Sequence, residues 1–159
     1  MRIDILCVGS IKEEFYRQAV MEYSKRLSRY GKLTIYEVKD EKTTERASEK
    51  EIRMVLKTEA ARLEKYLDPN AYLIVLAIEG TAFTSESFSQ KLSELETCGK
   101  SHFQFIIGGS LGIDEELKKK ADLMLSFSKM TLPHQLMRVV LLEQIYRAYK
   151  IKNNEPYHK

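Results

Sequence analysis

The chain has 159 residues, of which 43% are hydrophobic and 31% are charged, and its net charge at pH 7 is +3. This length predicts one domain over residues 1–159, the apolar content excludes a disordered chain, and so small a charge does not by itself establish a nucleic-acid partner. The longest apolar run, residues 71–78, is far short of the ~20 residues of a membrane span. The two cysteines show no disulfide or metal pattern. We therefore expect a cytoplasmic protein that uses neither a membrane nor a metal.

The first half of the chain alternates segments typical of strands with segments typical of helices. Short β-branched runs between turn residues indicate strands, and apolar residues three or four positions apart indicate helices. Gly31 is expected at the C′ position of the first helix, and Ser48 with Glu51 has the spacing of a capping box for the second. The predicted elements are a strand at 3–8, a helix at 15–30, a strand at 33–38, a charged loop at 40–46 and a helix at 48–67.

The same alternation continues in the second half. Residues 71–78 are continuously apolar, which is typical of a strand covered on both faces in a parallel sheet. The later elements are a helix from Thr84 or Ser85 to 95, a strand at 103–107, a helix at 114–121, a strand at 123–127 and a helix at 133–150. Because strands and helices alternate without a repeat or a linker, the sequence predicts a three-layer, mainly parallel α/β sheet.

The last predicted helix has more apolar residues than one packing face needs. Leu136 and Val140 lie opposite the main apolar face. A second apolar side is typical of a subunit contact and favours a homodimer, although a helix central to the core would have the same pattern. The main face consists of Met137, Leu141, Leu142, Ile145, Ala148 and Tyr149.

Two loops that follow predicted strands are candidate ligand sites. Residues 106–112 hold three glycines, and residues 127–134 hold hydroxyl, apolar and histidine side chains. Ligands of open parallel sheets bind outside the carboxyl ends of the strands, where glycine lets a ligand approach the backbone. The spacing is neither GxGxxG nor the Walker pattern, so neither a dinucleotide nor ATP is indicated. The alternatives are that the glycines serve only the turn, that Thr131 only caps a helix and that His134 is a capping or surface histidine.

The terminal segment 153–159 contains Tyr157, His158 and Lys159. Such side chains can stack on a base, move a proton and hold a phosphate, but a terminal segment can also be frayed. The run Lys118-Lys119-Lys120 is typical of a solvated helix face. The chain has no HExxH motif and no paired Cys or His set, which disfavours metal-dependent chemistry.

Three segments occur together in this order: 105–112, 128–134 and 155–159. With the rest of the chain they resemble the ribosomal RNA large subunit methyltransferase H family of the SPOUT superfamily. One departure is Ile78-Glu79-Gly80, where the family pattern has Leu-Asp and a turn.

The resemblance implies a SPOUT fold with a C-terminal trefoil knot and S-adenosylmethionine as methyl donor. It also implies methylation of N3 of a pseudouridine in 23S ribosomal RNA, on assembled ribosomes, by a homodimer. Because a net charge of +3 is weak for holding RNA, we expect the tail of one subunit to complete the site of the other. A transfer RNA methyltransferase and a catalytically silent RNA-binding dimer are the alternatives. The implied cofactor contacts are Leu76, Gly108, Phe127, Ser128, Lys129, Met130, Thr131 and Leu132.

The chemistry of that reaction suggests roles for four further residues. The imide nitrogen must lose its proton, for which His158 is the preferred base. Tyr157 would stack on the target base, and Arg138 and Lys159 would contact phosphate or the developing anion.

Overall fold

The computed structural model describes all of residues 1–159, in which five strands alternate with five helices. The strands are β1 (Arg2–Val8), β2 (Lys32–Val38), β3 (Tyr72–Ala82), β4 (His102–Ile107) and β5 (Leu123–Ser126). The helices are α1 (Glu14–Leu27), α2 (Glu49–Glu64), α3 (Ser85–Thr97), α4 (Glu115–Lys119) and α5 (His134–Lys152). None of these helices combines the length and the apolar character that crossing a membrane requires.

The strands form one sheet in the order β2-β1-β4-β3-β5, and every neighbouring pair is parallel. The predicted parallel α/β sheet is therefore confirmed. The pairing of β3 with β5 has one interruption, because Leu76 and Thr81 both pair with Leu125. Residues 77–80 of β3 consequently bulge out of the pairing with β5 at the carboxyl edge of the sheet, a feature that the sequence did not predict.

Helices cover both faces of this sheet. The core on one face includes residues of α1, α3 and α5, and the core on the other includes residues of α2 and α4. Successive strand side chains point to opposite faces, so Ile5 and Cys7 of β1 join the first core while Leu6 and Val8 join the second. The three predicted layers are thus confirmed, and the trefoil knot stays a prediction.

The start of α2 and the end of α1 differ in how well local sequence signals locate them. The capping box of Ser48 and Glu51 is formed at the start of α2, as predicted. The prediction that Gly31 is the C′ residue of α1 is wrong, because α1 ends at Leu27. A Cβ atom on Gly31 would lie 2.3 Å from the carbonyl oxygen of Met1. Glycine is therefore needed there for the close approach of two backbone segments rather than for a helix cap.

Helix α5 is the most enclosed helix of the fold. Leu141, Leu142 and Ile145 are fully buried in the core of the first face. Leu136 and Val140 are half-buried, and neither belongs to the two core clusters. The predicted second apolar side is therefore present on α5, and the homodimer stays a prediction.

Candidate functional site

A cavity of about 650 Å³ opens at the carboxyl edge of the sheet. Its walls come from three strands and the loops that follow two of them: residues 76–79 of β3, residues 107–113 at and after the end of β4, and residues at and after the end of β5 together with the start of α5. Crevices of this kind form where connections leave neighbouring strands in different directions. Of the 21 lining residues 11 are hydrophobic, so the cavity suits a ligand with both apolar and polar parts.

The glycine loop after β4 forms one wall through its backbone. A Cβ atom on Gly108 would lie 2.5 Å from the carbonyl oxygen of Gly112 and 2.6 Å from Ile113, so no side chain fits there. Gly112 has φ +90°, which glycine adopts without strain, and its amide donates to the carbonyl of Gly109 at 3.1 Å. The loop is therefore folded tightly, and its glycines do more than end the strand.

The loop after β5 forms the opposite wall. The Ser128 hydroxyl accepts a hydrogen bond from the Met130 amide at 2.9 Å, which fixes the turn. All but one of the expected cofactor residues line the cavity, and the exception is Lys129. The seven that the cavity brings together are Leu76, Gly108, Phe127, Ser128, Met130, Thr131 and Leu132.

Residues 77–80 of β3, which bulge out of the pairing with β5, place an ion pair on the cavity wall. The Lys118 ammonium lies 2.6 Å from a Glu79 carboxylate oxygen and 2.8 Å from Glu115. The hydrogen bond from Lys118 lowers the pKa of Glu79, which therefore stays ionised. The prediction of a solvated lysine face is wrong for Lys118, because its side chain is only 16% exposed and lines the cavity.

His134 also lines the cavity, at the first turn of α5. Its ring lies beside Gly9, at the end of β1, and makes no cap hydrogen bond at the start of the helix. Burial, followed by the positive charge of Arg138, lowers the pKa of His134, so the neutral imidazole faces the cavity. The sequence placed His134 in the candidate ligand loop 127–134, with a capping or surface role as the alternative. It could not predict the contact with Gly9, since only the fold brings α5 against β1.

Arg138 lies one helical turn further along α5 and is only 1% exposed. Its guanidinium pairs with Glu37 at the end of β2, and it donates to the carbonyl oxygens of Val8 at 3.3 Å and Gly9 at 2.5 Å. Its Nε is buried without a partner. This burial argues against the predicted direct contact with RNA and indicates that Arg138 holds α5 against the ends of β1 and β2.

The terminal segment packs along the middle of α5 rather than at the cavity. The Tyr157 hydroxyl donates to Glu143 at 2.7 Å, and the Arg147 guanidinium lies 4.6 Å from the centre of the Tyr157 ring. The His158 ring joins Glu86 at 2.7 Å to Arg147 at 3.3 Å.

Along the axis of α5, Glu143 lies about 13 Å from His134. No residue of 153–159 lines the cavity. Within one chain the two groups of predicted site residues are therefore separate. The exposed Lys159 ends the segment.

No group of three or more His, Cys, Asp and Glu side chains is arranged as a metal site.

The family model and the relatives that match this chain do so over nearly its full length. A family model described as "Predicted SPOUT methyltransferase" matches residues 1–158. The "Ribosomal RNA large subunit methyltransferase H" of Bifidobacterium adolescentis is 56% identical over 159 residues, and that of Bifidobacterium animalis subsp. lactis is 52% identical over 159 residues. Both alignments span 100% of this chain and 100% of the relative.

Two solved structures share the fold at low sequence identity. A probable methylase family protein from Haemophilus influenzae has a TM-score of 0.53 at 12% identity, over 99% of this chain and 70% of that one. The tRNA (m1G37) methyltransferase from Aquifex aeolicus has a TM-score of 0.51 at 14% identity, over 92% of this chain and 70% of that one. At these identities the likeness concerns the fold alone.

Proposed function

Because the chain belongs to the SPOUT methyltransferase family, within its ribosomal RNA large subunit methyltransferase H branch, we propose that it methylates ribosomal RNA with S-adenosylmethionine as donor. The specific target in this proposal is N3 of a pseudouridine in 23S ribosomal RNA, on assembled ribosomes in the cytoplasm. The observation that carries the proposal is the cavity, since the predicted cofactor loops form its walls.

The residues present fit S-adenosylmethionine. A volume of about 650 Å³ lies within the range of small-molecule sites, and apolar walls beside exposed backbone suit a purine and a thioether. Because Gly108 has no side chain, a ligand can lie close to the backbone there. We propose that Leu76, Gly108 and residues 127–132 hold the cofactor, with Lys129 contributing only if the loop moves, since it lies outside the lining.

When bound, the cofactor supplies a methyl group activated by the sulfonium. The chain's own contribution is to orient the reactants and to manage the proton of the target nitrogen. In this proposal His158 takes that proton, Tyr157 stacks on the base and Lys159 contacts the RNA backbone. Arg138 acts indirectly, because its buried guanidinium holds the helix that carries one cavity wall.

The separation of the cavity from the terminal segment supports a homodimer. If one chain cannot bring His158 to its own cavity, a second copy can supply it. The half-buried Leu136 and Val140 on α5 offer an apolar side for that contact. We therefore propose that each active site combines the cavity of one subunit with the tail of the other.

The test is a calorimetric titration of the purified protein with S-adenosylmethionine, followed by tritiated methyl transfer to intact ribosomes that lack the modification. Binding with transfer is expected. Ribosomes with uridine in place of the target pseudouridine are the control and should accept no methyl group. Binding without transfer would point to another RNA, and absence of binding would favour a silent RNA-binding dimer.

A further inference from the structure

Few charged side chains line the cavity. Glu79 and Lys118 are the only Asp, Glu, Lys or Arg residues that line it. Glu79 lies in segment 77–80 of β3, which bulges out of the pairing with β5, and Lys118 lies on the short helix α4. Their placement on a wall built mainly of backbone and apolar groups makes them candidates for selecting a polar part of the ligand.

The geometry of the pair leaves acceptor capacity free. The Lys118 ammonium bonds one Glu79 oxygen at 2.6 Å and one Glu115 oxygen at 2.8 Å. A carboxylate offers about four acceptor positions, so several positions on Glu79 remain open. Lys118 is 16% exposed whereas Glu79 is 53% exposed, so the ammonium is enclosed while the carboxylate can reach a ligand.

The charge balance selects among the polar parts of S-adenosylmethionine. Two carboxylates surround one ammonium, so the cluster carries a net charge of about −1. A ligand carboxylate would be repelled by this cluster, and the Lys118 ammonium already bonded to Glu79 weakens the attraction of that carboxylate for a second cation. A neutral vicinal diol avoids both problems and offers two donors to one carboxylate, as ribose does in dinucleotide-binding folds.

We propose that Glu79 selects the cofactor by accepting hydrogen bonds from its ribose hydroxyls, and that Lys118 is the positioning residue that holds this carboxylate. The inference rests on the proposed function and names a contact that the cofactor loops do not provide. It also gives a role to the Ile78-Glu79-Gly80 departure from the family pattern.

Calorimetric titration with S-adenosylhomocysteine and with its 2′-deoxy and 3′-deoxy analogues tests the proposal without requiring turnover. The wild-type chain is expected to prefer the ribose ligand over at least one deoxy analogue by roughly 10- to 100-fold, the range for a hydrogen bond to a charged group. Glu79→Ala should bind the ribose ligand more weakly by a similar factor and lose the preference.

Matched variants separate this contact from a general effect on the wall. Glu115→Ala removes the other partner of Lys118 outside the cavity lining and should keep the preference. Lys118→Met should reduce the preference, and Lys118→Arg should restore most of it. Thermal melting of each variant checks that the fold is retained.

The failures of the two proposals are distinguishable. If wild type binds S-adenosylhomocysteine and Glu79→Ala retains the same preference for ribose, the role of Glu79 is overturned while the proposed function stands. If wild type binds none of these ligands at millimolar concentration, the proposed function fails and this inference fails with it.

Discussion

The ring of His158 contacts two charged side chains, Glu86 through Nε2 and Arg147 through Nδ1. An arginine only donates, so Nδ1 accepts and Nε2 carries the proton that Glu86 accepts. In this tautomer Nδ1 carries the free electron pair, which is what a general base needs. Release of the Arg147 contact would free Nδ1 for the substrate proton.

His158→Ala is therefore predicted to lower kcat by roughly 10²- to 10⁴-fold, the usual contribution of a general base. The Kd for S-adenosylmethionine should stay within about twofold, because His158 does not line the cavity. Single-turnover methyl transfer and calorimetry measure the two quantities. Lys152→Ala, which removes a charge on α5 that pairs with Glu96, is the control, and unaltered turnover in His158→Ala would remove His158 from the mechanism.

Replacing Arg138 should change the stability of the fold, because its guanidinium is buried and bonded to backbone carbonyls. Arg138→Met removes a buried ion pair with Glu37 and two hydrogen bonds to backbone carbonyls. The free energy of unfolding should fall by about 2–4 kcal/mol, because those carbonyls lose a charged donor. Urea denaturation measures it. Arg26→Met, which breaks an exposed pair with Glu22, should cost about 0.5 kcal/mol or less, and equal losses in the two variants would contradict the structural role of Arg138.

His134 makes stability depend on pH. Burial lowers its pKa in the folded chain, so the unfolded chain binds a proton at a higher pH than the folded chain does. The stabilisation is complete above the ordinary histidine pKa of about 6.5 and is lost as the pH falls towards the lower folded value. Between about pH 7.5 and about pH 5.5, His134→Gln should therefore lose less unfolding free energy than wild type. Identical slopes in urea denaturation would show that His134 is not desolvated.

The helices and strands were predictable where local chemistry determines them. The capping box of α2 and the apolar run of β3 lie in the sequence itself, and both were located to within a few residues. The ion pair of Glu79 with Lys118 and the contact of His134 with Gly9 join positions far apart in the chain. Such pairings depend on strand order and on a local break in β3, which periodicity does not encode.

Replacing Gly80 tests whether the bulge at residues 77–80 of β3 matters for stability and for the cavity. A Cβ atom at Gly80 would lie 2.7 Å from the Met124 carbonyl, so β3 and β5 would have to separate. Gly80→Ala should lower the unfolding free energy by about 1–3 kcal/mol and weaken cofactor binding, because residues 77–79 line the cavity. Urea denaturation and calorimetry measure these effects.

Gly99→Ala is the matched control for Gly80. Gly99 has φ +84° with open space around it, so the substitution strains the backbone by roughly 1–2 kcal/mol far from the cavity. It should leave the affinity for the cofactor unchanged. Unchanged affinity in Gly80→Ala as well would mean that the break in β3 does not shape the site.

The arrangement of the whole chain divides the predicted site into two parts. The start of α5 closes the cavity, whereas the middle of the same helix binds the tail. A rigid helix keeps those two parts apart, so flexibility of the last residues alone does not bring His158 to the cavity while Tyr157 stays bonded to Glu143. The proposed two-fold arrangement would solve this problem by placing the cavity of each subunit beside the tail of its partner.

Mixing two inactive variants tests this arrangement directly. Leu132→Arg should fill the cavity but leave the tail intact, and His158→Ala should disable the tail but leave the cavity intact. After subunit exchange about half of the dimers contain one of each chain, and each mixed dimer has one site with an intact cavity and an intact tail. Methyl transfer should therefore recover to about a quarter of the wild-type rate. If each chain instead used its own tail, every site would carry one defect and mixing would restore nothing, and light scattering on the mixture would separate that result from a failure to dimerise.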